Sequence, residues 1–216
     1  MSRIELALLG GSLRTGSVST QLLHVCAELA NKHGTQTSIL TAPQLVLPPY
    51  VPDSAQRLPA VHRLLSVLRR ADGLIIATPT YHGGASGLVK NALDYVEDLA
   101  EEIPAYLADR AVGTAAVGWS EHAAATAVAD LRNTIMCLRG WVTPMAVTLN
   151  SADLPRGDDA VRSDQRAMRR LEVLVGQVVD FTRQVKPGRR STSDGALSNC
   201  SCRRHKEFPW TSPTAD

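Results

Sequence analysis

The sequence predicts an α/β protein built on a doubly wound parallel sheet, and three observations carry that reading. Short apolar runs alternate with segments whose apolar residues recur at helical spacing. The run Leu74-Ile-Ile-Ala-Thr78 is continuously apolar, as strands buried on both faces of a parallel sheet are. A Gly/Ser loop joins the first strand to the first helix, at the end of the sheet where such folds bind ligands.

The elements follow in order. Ile4 to Leu9 is an apolar strand that turns sharply at Gly10-Gly11. Ser17 to Thr20 opens a helix carried by Leu22, Leu23, Cys26, Leu29 and Ala30 and closed by Gly34. Thr37 to Leu40 is a second strand, and Pro43, Pro48, Pro49 and Pro52 make the next stretch a loop. Val61, Leu64, Leu65 and Leu68 mark a helix, the third strand stops at Pro79, and Leu88, Ala92, Tyr95, Val96 and Leu99 mark a third helix. Ala111 to Val117 is the fourth strand, and a helix follows on Ala124, Val128, Leu131, Ile135 and Leu138. Val142 to Leu149 is the fifth, and Met168, Leu171, Val175, Val178 and Val185 mark the last helix. Five strands alternating with five helices give a parallel sheet with right-handed crossovers.

The division expected is a domain over residues 1–185 and a basic, flexible tail over 186–216. That tail holds six Lys/Arg against three acids, so the remainder carries a formal charge of −1 within a total of +2. A body of that sign is a poor partner for nucleic acid, and 4% aromatic content argues against a base-stacking surface. No run approaches the roughly 18 apolar residues of a membrane helix, and a strand follows Met1 where a secretory leader would need a charged and then an apolar segment. A cytoplasmic protein with reduced thiols is expected. Cys200-Ser-Cys202 with His205 lacks the paired spacing of a zinc site, so no metal is expected.

Chemistry is concentrated in the loops after strands one, three and four. In the first, Gly10 to Thr20, the hydroxyls of Ser12, Ser17, Ser19 and Thr20 stand at a helix N-terminus, where free N–H groups and the dipole favour an anion. Arg14 adds planar donors suited to phosphate; the plainer alternative is that the serines cap the helix and Arg14 is solvated. Gly11 and Gly16 have Walker spacing, but Ser17 and Val18 stand where Lys and Ser/Thr are required. The G-x-G-x-x-G pattern of dinucleotide-binding folds is absent as well, which leaves a monophosphate as the anion that fits.

The second loop reads Thr78-Pro-Thr-Tyr-His-Gly-Gly-Ala-Ser-Gly-Leu-Val-Lys-Asn-Ala-Leu-Asp-Tyr95. Together with Gly-Ser-Leu-Arg-Thr-Gly-Ser-Val-Ser-Thr20 it resembles the NAD(P)H-dependent FMN reductase family of flavodoxin-like proteins, from Ile4 to about Val185. Ser19 stands where many members have Asn, and Ser86 where many have Pro. The resemblance implies a flavodoxin-like five-stranded sheet in the order 2-1-3-4-5, helices on both faces, and FMN with NADPH or NADH as cofactors. It places the FMN phosphate on Ser12, Arg14, Ser17, Ser19 and Thr20, and the flavin ring along Pro79, Thr80, Tyr81, His82 and Gly83. Gly83 and Gly84 would let a flat ring approach the backbone. In the third loop Trp119 is expected to stack on the flavin or the nicotinamide, with Ser120 and Glu121 at the polar edge of the ring; Glu121 reads equally well as a helix N-terminal charge. Lys90, Asn91 and Asp94 read as structural, and no side chain is expected to act as a covalent or acid–base catalyst.

The function implied is hydride transfer from NAD(P)H to FMN, with electrons passed to an acceptor or reduced flavin supplied to a partner monooxygenase. An FMN-retaining quinone or azo-compound reductase and a flavodoxin-like electron carrier are the alternatives. A homodimer or homotetramer is the implied assembly.

Overall fold

The computed structural model describes residues 3–52, 54 and 56–191, with backbone alone for 187–191. β1 (Glu5–Gly10) lies inside the sheet, and its residues alternate between two cores, Leu6 and Leu8 on one side and Ala7 and Leu9 on the other. β3 (Gly73–Tyr81) does the same, with Ile75 and Ala77 facing one core and Leu74 and Ile76 the other. Continuous apolar sequence here records burial on both faces.

α1 (Val18–Lys32) and β2 (Gln36–Thr41) follow β1; α2 (Pro59–Arg70) precedes β3. After β4 (Gly84–Ala85) come α3 (Gly87–Asp94), β5 (Ala111–Gly118), α4 (Glu121–Cys137), β6 (Trp141–Asn150), α5 (Ala160–Ser163) and α6 (Gln165–Ser191). Five long strands pair in parallel in the order β2-β1-β3-β5-β6. α1 and α6 cover one face, while α2, α3 and part of α4 cover the other.

The expectation of exactly five strands is corrected by a sixth, β4, which pairs antiparallel with the end of β3 through Thr80↔Ala85 and Tyr81↔Gly84. His82 and Gly83 form the two-residue turn, both at positive φ (50° and 84°), as a type I′ hairpin requires. β3 therefore does not stop at Pro79 but continues to Tyr81.

The helix expected from Leu88 to Leu99 is also corrected. It is α-helical to Asp94 and then a 3₁₀ segment, Tyr95–Leu99. Over five residues the apolar spacing does not separate a 3.6 from a 3.0 period. The tighter winding buries Tyr95, Val96 and Leu99 and sets the Tyr95 hydroxyl on the Pro48 carbonyl at 3.1 Å. Asn91 ties down the same proline-rich loop: its Oδ1 accepts from Tyr50 N–H (2.9 Å), and its Nδ2 donates to the Leu47 and Pro48 carbonyls. Arg57 adds a bidentate pair with Asp98, 2.8 Å on each arm.

α6 runs to Ser191, six residues into the segment expected to be tail. Lys186 there donates to Asp72 Oδ2 and to the Arg3 carbonyl. Cys200, Cys202 and His205 lie outside the described residues.

The exposed edge of β6 is covered by side chains. Arg132 donates to the Thr143 carbonyl (2.7 Å), Gln177 accepts from Met145 N–H (2.8 Å), and Arg170 donates to the Ala146 and Thr148 carbonyls.

Candidate functional site

Gly10 and Gly11 fix where the first loop leaves the sheet. Their φ angles are 127° and 90°, and Gly11 N–H donates to the Ala77 carbonyl at 3.0 Å. A Cβ on Gly10 would fall 1.8 Å from that carbonyl oxygen, so the chain passes against β3 where only glycine fits. Ser17 is the N-cap of α1: its Oγ accepts from Thr20 N–H (3.3 Å) and shares a 2.9 Å hydrogen bond with the buried Ser19 hydroxyl. Ser12 Oγ accepts from Arg14 N–H at 3.2 Å. The first-turn N–H groups of Val18 and Ser19 have no carbonyl partner within the helix, and no acid stands in that turn to neutralise the dipole.

This loop forms one wall of a cleft of about 660 Å³ at the carboxyl ends of β1, β3, β5 and β6. Of the residues picked from sequence, Ser12, Arg14, Ser17, Ser19, Pro79, Thr80, Tyr81 and Trp119 line it. Thr80 Oγ1 is buried there without a hydrogen-bond partner among the described residues. Trp119 and Tyr81 present 77% and 57% of their surface, a large apolar exposure for residues beside a cleft.

The other five lie elsewhere. Thr20 borders a smaller cavity of about 280 Å³ on the far side of the first loop, shared with Ser12, Arg14 and Ser17. His82 and Gly83 form the β3–β4 turn, which is held toward α4: Ala85 N–H donates to Asp130 Oδ2 at 3.0 Å, and a Cβ on Gly83 would meet Thr126 Cγ2. Ser120 caps α4, its Oγ accepting from Ala123 N–H at 3.2 Å, and Glu121 begins that helix exposed to solvent.

Sequence reading missed a fourth wall. The segment after β6 brings Ser151, Leu154, Pro155, Arg156, Gly157 and Asp158 to the cleft. Gln21 holds it there: its Nε2 donates to the Gly157 carbonyl (2.9 Å) and its Oε1 accepts from Val161 N–H (3.4 Å). α5 adds a bidentate pair from Arg162 to Glu28 on α1, which holds the Glu28 carboxyl below its ordinary range. Nothing local signals this wall, since Gln21 reads as a solvated helix residue and residues 151–159 match no motif.

Among the described residues no helix is long and apolar enough to cross a membrane, and no cluster of His, Cys, Asp and Glu suits a metal.

A parallel sheet flanked by helices, with a hydroxyl- and Arg-bearing first loop at a helix N-terminus, defines a doubly wound α/β protein with a cleft at the carboxyl ends of its strands. Comparison narrows this class. The NADPH-dependent FMN reductase family matches residues 4–153, and the chain belongs to that family. The chain is 30% identical over 114 residues to an FMN-dependent NADPH-azoreductase of Staphylococcus haemolyticus (strain JCSC1435), covering 51% of this chain and 56% of that protein. It thus spans about half the length of that relative. Among solved structures it resembles FerB of Paracoccus denitrificans, a flavoenzyme NAD(P)H:(acceptor) oxidoreductase, with TM-score 0.69, 23% identity, and coverage of 84% of this chain and 98% of that one. It also resembles a WrbA-like flavodoxin from Agrobacterium tumefaciens, with TM-score 0.60, 15% identity, and coverage of 85% and 99%. At these identities the two structures speak to the fold, which is that of the flavodoxin-like proteins.

Proposed function

We propose that the protein is an NAD(P)H-dependent FMN reductase whose flavin occupies the cleft between the loops after β1, β3, β5 and β6. The observation that carries this reading is the joining of the first loop to Thr80, Tyr81 and Trp119 around one cleft. The residues fit the group. Ser12, Arg14, Ser17 and Ser19 supply hydroxyls and a guanidinium at the α1 N-terminus for a phosphate, and the partnerless Thr80 hydroxyl meets a polar ring edge.

FMN, when bound, supplies the two-electron chemistry, taking hydride from the nicotinamide and giving electrons to an acceptor. The chain orients it. Ser17 and Ser19, hydrogen-bonded to each other and largely buried, hold their hydroxyls in place before a ligand arrives. The β3–β4 hairpin, tied to Asp130, positions Thr80 and Tyr81, while the Ser120 cap on α4 fixes the turn that carries Trp119. The exposed indole and phenol offer flat surfaces to an aromatic ring. No described side chain need exchange a proton for this transfer.

The reading extends to a cytoplasmic, homo-oligomeric protein, either a dimer or a tetramer of dimers, that serves a monooxygenase or another electron acceptor. A nicotinamide reductant supports the first point, and the exposed Trp119 and Tyr81 support association at the cleft mouth. The azoreductase relative favours a second reading, in which bound FMN is retained and an aromatic acceptor is reduced.

The test is an anaerobic NADPH titration of the purified protein with FMN, followed by absorbance. Bleaching of the flavin band near one equivalent is expected. A band that persists in excess NADPH and excess NADH refutes the assignment.

A further inference from the structure

Arg156 lies three residues beyond the segment that the family matches, in the wall that the sequence did not reveal. Resting on the FMN reading above, we propose that Arg156 is a second guanidinium for the flavin phosphate, lining the same cleft as Arg14, and so determines preference for phosphorylated over unphosphorylated flavin.

Four observations converge on it. Arg14 and Arg156 line the same cleft, and neither side chain has an ion-pair or hydrogen-bond partner among the described residues. Three other guanidiniums are already paired, Arg57 with Asp98, Arg69 with Glu102 and Arg162 with Glu28. The residue following Arg156 is anchored to the phosphate end of the site, since the Gly157 carbonyl accepts from Gln21 on the first turns of α1. Gly157 has φ 124°, a bend that other residues rarely adopt, which fixes how the loop leaves that anchor.

Charge bookkeeping agrees. A phosphate monoester carries nearly two negative charges at neutral pH. Arg14 and Arg156 offer two positive ones, and the α1 dipole adds about half a charge. Asp158 also lines the cleft, its Oδ1 3.8 Å from where a Cβ on Gly16 would stand. With Arg14 alone, that carboxylate would cancel the cation at the mouth of the loop. Arg156 restores a net positive charge to the loop that faces the dianion.

The experiment measures FMN and riboflavin dissociation constants by flavin fluorescence for the full chain and for Arg156→Ala, Arg156→Lys and Arg14→Ala, at two salt concentrations. Arg156→Ala is expected to weaken FMN about five- to twentyfold, in the range of one charge-assisted bond at an exposed site. Riboflavin is expected to stay within about twofold, Arg156→Lys to recover part of the loss, and the salt dependence of FMN binding to flatten. Wild-type FMN affinity in Arg156→Ala overturns the proposal, and so does an equal loss for both flavins. A raised KM for NADPH with FMN affinity intact overturns it too, assigning Arg156 to the nucleotide. In each of these cases riboflavin or FMN still binds the native chain and the reductase reading survives. A native chain that binds neither flavin sinks both.

Discussion

Gly10 and Gly157 form a natural pair for separating backbone strain from steric conflict. Their φ angles are nearly equal, 127° and 124°. A methyl group on Gly157 meets nothing within 4 Å, whereas on Gly10 it would lie 1.8 Å from the Ala77 carbonyl oxygen, inside the 3.0 Å that real Cβ atoms respect. Alanine at either site incurs a dihedral penalty of about 1 to 3 kcal/mol. At Gly10 the β1–β3 junction must in addition open by more than an ångström. That breaks the Gly11 N–H bond to Ala77 and leaves a buried carbonyl poorly paired, a further cost of about 2 to 4 kcal/mol. In a domain of this size each kcal/mol moves the melting temperature by about 2 to 4 °C. Gly10→Ala should therefore melt about 5 to 15 °C below Gly157→Ala in calorimetry or circular dichroism. Two variants melting within about 2 °C of each other would refute the claim that close approach to β3, and not the dihedral, demands glycine at position 10.

Further outcomes follow from other contacts. Arg14→Ala should weaken FMN binding about ten- to a hundredfold while riboflavin is unaffected, read by fluorescence titration; equal weakening of both flavins would remove Arg14 from the phosphate site. Asn91→Ala severs three hydrogen bonds to residues 47–50 and should cost about 1 to 3 kcal/mol in chemical denaturation, and an unchanged midpoint contradicts its role as an anchor. Burial pushes the Cys26 thiol up to about 12, so peptide mapping after native alkylation at pH 8.5 should find Cys137 modified and Cys26 untouched. Equal labelling of the two would mean that α1 opens readily. A chain ending at Val185 loses the Lys186 contacts to Asp72 and Arg3, and should melt about 2 to 6 °C below one ending at Ser191; identical melting would make those contacts idle.

The parallel sheet and the strand–loop–helix of the first loop were legible because each is written locally, whereas the strand order came from the family resemblance. Leu74 to Thr78 is apolar on both faces of one strand, and Ser17 caps the helix that it precedes. What escaped is written between distant segments. The wall at residues 151–158 joins the cleft through Gln21, more than a hundred residues away, and no local pattern reports such a pairing. The β3–β4 hairpin escaped for a different reason. Its second strand is two residues long, too short for any alternation to register. Thr20, Ser120 and Glu121 carry suitable chemistry in suitable loops, yet Thr20 borders the smaller cavity, the Ser120 hydroxyl caps α4, and Glu121 is not among the residues lining the cleft.

The side chains along β6 bear on how the protein behaves when crowded. An open strand edge offers a ladder of unused amides on which another chain can build, the common seed of sheet-to-sheet aggregation. Arg132, Arg170 and Gln177 occupy those positions on β6 with groups from the chain's own helices. A second molecule could add a strand there only by displacing two guanidiniums and an amide from bonds already made. Contact between copies is thereby turned away from this margin of the sheet and toward helices and loops. Removing these three side chains together should show its first effect in concentrated solution, as light scattering that grows with time, before any loss of helical content.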